Sequence, residues 1–456
     1  MNHGALGLPV GGASSPLDRA RAKAYLRLLP LLFVSFVVAY IDRANLAIAK
    51  LSMVKDLPTF DNAVFGLGGG LFFLGYVLLE VPGTLIVERW SARRWLGRIM
   101  VSWGVVAALQ AFVKEPWQFY TVRFLLGLSE AGFMPGVIVY LSHWFPPRDR
   151  ARATALFLMG TPVAQLINPK VSGWLLTLSD HGAGPLGLLG WQWVYVGWAI
   201  PAVILGVLVY RTLPDWPHQA PWLPSDELHA LTAALDAGRA AQLERAGHMT
   251  VGAAFRNLRV LGTSLAYFFA ITAFYGIDLF VPSILARWYH LPLSSLTWLL
   301  VIPAATSLLA QVLAGWSSDR FAERKWHAVV PLACAGVALA FVPLSHGNLV
   351  ATLVLFSVAT AGMKAYLPAF WCLPSLFVSG LAAAASAGFI NSFGNLGGFV
   401  GSYVLGGWEA RTGRFEGGVY FIAVCAALAA AGVLWVAAYP RPQAQRASDL
   451  RHRQVS

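Results

Sequence analysis

The chain has 456 residues, of which 57% are hydrophobic and only 12% charged, and a mean hydropathy of +0.61. This composition excludes an ordinary soluble protein and points to a chain that crosses a membrane many times. The net charge of +12 does not indicate a nucleic-acid partner, because the basic residues sort to one side of the predicted membrane.

The first 18 residues are polar and contain Gly, Pro and Ser. The apolar run behind them is too extended for a cleaved signal, so they read as a short tail. Twelve apolar stretches of helical length follow, at 28–49, 63–87, 95–113, 117–141, 151–178, 192–210, 261–288, 294–316, 327–344, 349–371, 380–407 and 418–438. Each is continuous over about twenty residues and lacks the alternation of a barrel strand, so the expected class is all-α integral membrane, with twelve transmembrane helices. Clusters such as Arg19, Arg21, Lys23 and Arg27, or Arg93, Arg94 and Arg98, lie on the side that also holds both termini. That bias predicts cytoplasmic termini in a cell inner (plasma) membrane.

The first stretch contains YIDRANLAIA, with Asp42 beside Arg43 in apolar surroundings. The fourth, WQFYTVRFLLGLSEAGFMPGVIVYLSHWF from Trp117 to Phe145, contains Arg123 and Glu130. A charge at the bilayer centre costs at least about 2.5–3.5 kcal/mol, so such residues face protein or water and mark function. Two helical turns separate Arg123 from Glu130, which puts them on one face but about 10 Å apart along the axis. Each therefore needs another partner, and Asp42 with Arg43 is the complementary pair. These four residues form the predicted polar centre of a transport protein.

The one long polar segment, 212–258, opens with prolines and offers Ser225 as N-cap ahead of DELHALTAALDAGRAAQL. It reads as a cytoplasmic linker with a short solvated helix. The predicted organisation is an N-terminal tail (1–24), a six-helix half (25–211), the linker (212–258), a second six-helix half (259–439) and a C-terminal tail (440–456). A repeat supports it: GTLIVERWSARRW follows the second span and AGWSSDRFAERKW the eighth. Glu88, Arg89, Arg93 and Arg94 in one loop match Asp319, Arg320, Arg324 and Lys325 in the other, as a pseudo-twofold transporter requires. Cys334, Cys372 and Cys425 lack paired spacing and are expected to be buried, with no disulfide or metal.

With GYVLLEVPGTLIVERWSARRW, RFLLGLSEAGFMPGVIVYLSHWFPPRDRARA, FWCLPSLFVSG and INSFGNLGGFVGSYVLGG added to YIDRANLAIA, the chain resembles the major facilitator superfamily, and within it the anion:cation symporter family, over nearly all of 25–438. The resemblance implies proton-coupled uptake of an organic anion such as a carboxylate or sugar acid, by a monomer in the lipid bilayer with no prosthetic cofactor. It implies that Arg43 and Arg123 bind the substrate carboxylate and that Asp42 and Glu130 carry the proton. It adds Tyr40, Tyr76, Gln165, Tyr275, Trp371, Asn391 and Asn395 as substrate contacts, with the loop charges Glu88, Arg89, Arg93, Arg94, Asp319, Arg320 and Arg324 as gating latches. Glu80 is expected to be structural, and Gly394, Gly397, Gly398, Gly401, Gly406 and Gly407 to permit close helix approach.

Three charges depart from the family pattern: Lys170, Asp278 and Lys364. Lys364 lies two turns before Trp371, so a shared face would carry it into the cavity, as a second cation for a dicarboxylate or other polar acid. Competing readings stay open. The central charges would otherwise hold helices in register, Asn391 and Asn395 would bond between helices, the aromatics would pack, and Lys364 would pair with Asp278 or snorkel. An exchange or efflux carrier is the alternative within transport. A membrane enzyme is not expected, because the histidines are scattered without catalytic or metal-ligand spacing.

Overall fold

The computed structural model describes residues 15–179, 184–245, 255–321, 323–374 and 380–438, and no strand occurs among them. The chain enters α1 (Pro16–Ala44) and runs through Asn45 into α2 (Leu46–Asp56). Then follow α3 (Asn62–Arg89), α4 (Ala92–Leu109), α5 (Pro116–Glu130), α6 (Phe133–Trp144), α7 (Pro147–Leu158), α8 (Gly160–Thr177) and α9 (Gly190–Thr212). After α10 (Ser225–Arg245) come α11 (Leu258–Tyr289), α12 (Leu293–Leu299), α13 (Val301–Arg320), α14 (Lys325–Phe341), α15 (Leu349–Ala365), α16 (Leu367–Phe370), α17 (Gly380–Thr412) and α18 (Glu416–Ala438). Ten stretches of these helices are long and apolar enough to cross a membrane. The two remaining expected spans are helical too, as α7 with α8 and as α17, completing the twelve of the all-α membrane architecture.

Local chemistry fixes the helix starts. Asp61 and Asn348 each accept the backbone N–H three residues on, at 2.8 and 3.0 Å, satisfying donors that a helix end leaves free. α1 starts at Pro16, inside the segment read as a tail, because Ser15 caps it and Pro16 is pre-set for the first turn. The fourth span is not one helix. Pro135 has no N–H and its ring excludes the carbonyl of Ala131 from the usual bond, so the chain turns at Gly132, whose φ is +82°. Gly83 of α3 covers this break. A Cβ there would come within 3.3 Å of the Ala131 carbonyl oxygen.

Packing differs between the two ends of the bundle. At the end remote from α10, helices from before and after the linker share one core containing Leu46, Phe65, Phe119, Ile277, Phe280 and Leu405. At the end carrying α10 the cores separate, one around Leu96, Trp103, Val137 and Leu231, the other around Val260, Leu332, Phe370 and Ile390. α17 wedges between α3 and α11. Its glycines make this possible, since a Cβ on Gly401 would meet the Thr272 carbonyl oxygen at 2.1 Å and one on Gly406 the Asn62 oxygen at 2.2 Å. Gly407 is a correction to the expected set, because it faces open space.

Leu309, Leu313 and Trp316 form an exposed row on α13, which is the surface lipid covers. Of the cysteines expected to be buried, Cys425 is, Cys372 is half-buried and Cys334 is exposed. The linker is also not simply solvated. Trp216 stacks on His143 with ring centres 4.1 Å apart, Trp222 stacks on Trp144 at 5.4 Å, and Glu227 of α10 accepts from Lys23 at 2.8 Å and Arg19 at 3.2 Å.

Candidate functional site

Arg43, near the C-terminal end of α1, sits where α1, α3, α5 and α11 meet. Its Nη2 donates to Glu130 Oε1 at 2.5 Å, and Nη1 to Tyr275 Oη at 3.4 Å. The guanidinium lies 4.9 Å from the centre of the Tyr76 ring and 5.1 Å from that of Phe72, so π faces help to compensate a charge held away from water. Glu130 is the more enclosed partner, with 4% of its side chain exposed against 18% for Arg43. Arg123, two turns earlier on α5, does not reach the acid. Its Nε donates to the Gly68 carbonyl at 3.2 Å, its Cζ lies 5.1 Å from the same Phe72 ring, and its Nη1 is buried without a hydrogen-bond partner.

Asp42 points elsewhere. Neighbouring residues on a helix diverge by about 100°, and its Oδ2 accepts from Trp103 Nε1 of α4 at 2.9 Å while Oδ1 faces Asn45 at 3.4 Å. The four charges expected to form one centre therefore divide: Arg43 pairs with Glu130, and Asp42 is held by an indole. Trp103 carries no charge and nothing in the sequence marks it as a partner.

Two cavities adjoin this centre. One is lined by Tyr40, Arg43, Arg123, Tyr275, Asp278 and Ser402. The other is lined by Gln165, Asn168, Phe274, Asp278, Ser307 and Thr360, so Asp278 borders both. Gln165 donates to Tyr40 Oη at 3.2 Å, and Lys364 Nζ lies 5.6 Å from the Tyr40 ring centre and 3.7 Å from that of Phe274. The structure thus brings together Tyr40, Arg43, Tyr76, Arg123, Glu130, Gln165, Tyr275, Asp278 and Lys364.

Other expected residues lie apart. Trp371 packs edge-on to Tyr267 at 5.2 Å, and α15 stops before Tyr366, so a face extrapolated from Trp371 does not place Lys364. Asn391 and Ser392 donate to Glu80, Ser392 at 2.8 Å, so α17 is clasped to α3 there, and Asn395 is buried one turn on. Lys170 sits over the Trp298 ring at 3.0 Å, away from the centre. Among the loop charges, the side chains of Glu88 and Arg89 lie outside the described residues. Arg93 meets Asp215 at 3.7 Å, Arg324 meets Asp319 at 2.7 Å and Arg320 lies 5.4 Å from the Trp316 ring centre, while Arg94 is exposed. At the remote end, Glu409 of α17 accepts from Asn62 of α3 at 2.6 Å and pairs with Arg287 of α11.

A sequence signal for the site exists in its prolines. Pro169, Pro282 and Pro368 each lie four residues after Gln165, Asp278 and Lys364, and Pro135 lies five after Glu130. Pro169 and Pro282 lie inside helices, where each removes an intrahelical bond, while Pro135 and Pro368 lie in the first turn after a break; in hydrocarbon such interruptions are tolerated where protein or a cavity covers them. Among the described residues, no group of three or more His, Cys, Asp or Glu could hold a metal ion.

The Major Facilitator Superfamily profile matches residues 32–402 and 263–455. A protein of Agrobacterium vitis provisionally named a tartrate transporter is 41% identical over 89% of this chain and 92% of its own. One of Pseudomonas putida, provisionally named the metabolite transport protein NicT, is 38% identical over 88% and 90%. In fold, the chain is similar to the inward-facing, occupied crystal structure of a bacterial homologue of the human lysosomal transporter Spinster, with a TM-score of 0.70 and 17% identity over 93% and 98% of the two chains.

Proposed function

The chain belongs to the Major Facilitator Superfamily, and from that premise we propose that it takes up an organic anion together with protons by alternating access. It is a multi-pass membrane transporter and not an enzyme. The name of the tartrate relative supports a carboxylate substrate.

The observation that carries the proposal is the Arg43–Glu130 pair beside the cavity. Guanidinium and carboxylate match as a planar fork, and a substrate carboxylate makes the same match. A substrate arriving at Arg43 displaces Glu130. The released carboxylate is enclosed by protein, where an unpaired anion is costly, and it is relieved by taking a proton. Substrate and proton then load together. Asp42, held by Trp103 beside the pair, is the second proton carrier of the proposal. Tyr40, Tyr76, Gln165 and Tyr275 orient the anion's polar groups, with Arg123 adding positive potential. Trp371, Asn391 and Asn395 join the site as the helices move.

In this reading 25–211 and 259–439 rock against each other about the cavity, joined by 212–258, with both termini in the cytoplasm of an inner membrane. The shared core and the Glu409 clasp support closure of the outer end. The loop charges at the other end, Glu88, Arg89, Arg93, Arg94, Asp319, Arg320 and Arg324, then latch when the carrier turns outward.

The test is uptake of radiolabelled carboxylates by proteoliposomes under an imposed inward proton gradient. Accumulation that collapses with the gradient, and is absent in Arg43→Ala, is expected. Exchange or outward transport with no gradient-driven accumulation would replace symport by an exchange or efflux carrier.

A further inference from the structure

Lys364 is a buried cation that this cycle leaves unused. It is 7% exposed, near the C-terminal end of α15. It lies over the faces of two aromatic rings, with Nζ 3.7 Å from the centre of Phe274 and 5.6 Å from that of Tyr40. An aromatic face offsets only part of what it costs to hold an ammonium away from water, so the group is under-compensated when the carrier is empty. Asp278, one turn beyond Phe274 on α11, attracts it from beyond ion-pair distance and borders both cavities.

Lys364 neighbours residues that line both cavities. Thr360, one turn before it on α15, lines the cavity that holds Gln165, Asn168 and Ser307. Tyr40, against whose ring it lies, lines the cavity that holds Arg43. Arg43 is one turn from Tyr40 on α1, and Tyr275, bonded to Arg43, follows Phe274 directly. Two cations thus flank one Tyr40–Phe274–Tyr275 wall, Arg43 from before the linker and Lys364 from after it. They repel in a medium of low dielectric, and a ligand with two negative groups relieves both at once. A ligand with one carboxylate answers Arg43 and leaves Lys364 as it was.

We propose that Lys364 binds a second carboxylate of the substrate, so that this carrier takes short dicarboxylates in preference to monocarboxylates of the same length. The inference rests on the reading that Arg43 holds the first carboxylate. Because the two cations come from opposite sides of the linker, a dicarboxylate also draws the helices of the two sides together, as closure around the substrate requires.

The test compares tartrate with threonate, which has a hydroxymethyl group in place of one carboxylate, in proteoliposomes of the full chain. Wild type should take up tartrate with the lower KM. Lys364→Met should raise the KM for tartrate by about tenfold or more while changing threonate by less than about threefold, and Lys364→Arg should retain most tartrate uptake. Retained threonate uptake shows that the Met variant is folded, and a packing role alone would not move the ratio of the two substrates. Equal loss of both, no change in either, or a wild type that carries threonate but not tartrate would overturn the second-carboxylate role and leave anion symport standing. A wild type that carries no carboxylate under any gradient would overturn both.

Discussion

Ion pairs of the same chemistry occur in two regions of this molecule, and their surroundings give them different uses. At the end carrying α10, Arg19 meets Asp226 at 2.9 Å with the side chains 42% and 53% exposed. In the centre, Arg43 meets Glu130 at 2.5 Å with 18% and 4% exposed. Water screens the first pair, and such an exposed pair contributes about 0–1 kcal/mol. Breaking a buried pair by removing one partner costs about 3–5 kcal/mol, because the other charge is stranded. The outer pair ties α10 to α1 and can open into water. The central pair can open only if something replaces the departing partner, which is the property a coupled carrier needs.

Substitutions test this contrast. Arg43→Lys keeps the charge but loses the fork, and we expect carboxylate uptake to fall by about a hundredfold, measured as initial rate. Restoration of uptake by Lys would show that charge alone suffices. Glu130→Gln should abolish accumulation driven by a pH gradient while leaving substrate counterflow, since the amide still bonds Arg43 but carries no proton. Loss of counterflow as well would assign Glu130 to binding. Trp103→Phe removes the indole donor to Asp42 and should destabilise the protein by about 1–3 kcal/mol, read by denaturant unfolding in detergent. Asp226→Ala, by contrast, should cost less than about 1 kcal/mol and leave uptake within about twofold. A large loss there would erase the distinction between the regions.

The smallest effect concerns Glu323, in the turn between α13 and α14. Partial burial opposes its ionisation, but hydrogen bonds from the backbone of Trp326 and from His327 prevail and hold its carboxyl below the usual range. A depressed native value means that Glu323 adds stability above the unfolded carboxylate pKa of about 4.3, and that this is lost as pH falls through the native value. Unfolding of Glu323→Gln should differ slightly from wild type at neutral pH and converge with it in acid. A difference that grew in acid would contradict the assignment.

The spans were legible because hydrocarbon thickness fixes helix length and because charges inside apolar runs are conspicuous. Arg43, Arg123 and Glu130 are therefore visible in the sequence itself. Their partners were not, since Asp42 and Arg43 are adjacent in sequence yet turn to α4 and to α5. The break at Gly132 was readable from Pro135, and the run of prolines four residues after Gln165, Asp278 and Lys364 is a pattern that hydropathy does not register. The placing of Asn391 against Glu80 and of the linker tryptophans against His143 and Trp144 depends on long-range packing, which no local spacing encodes.

The most direct test of the central claim is a count of protons taken up when substrate binds, read with a pH-indicator dye on detergent-purified, weakly buffered protein titrated with tartrate. If the substrate displaces Glu130 from Arg43, binding to wild type takes up protons and binding to Glu130→Gln takes up fewer. Tartrate binding with no proton uptake in wild type, or with the same uptake in both proteins, would contradict the exchange of partners at Arg43.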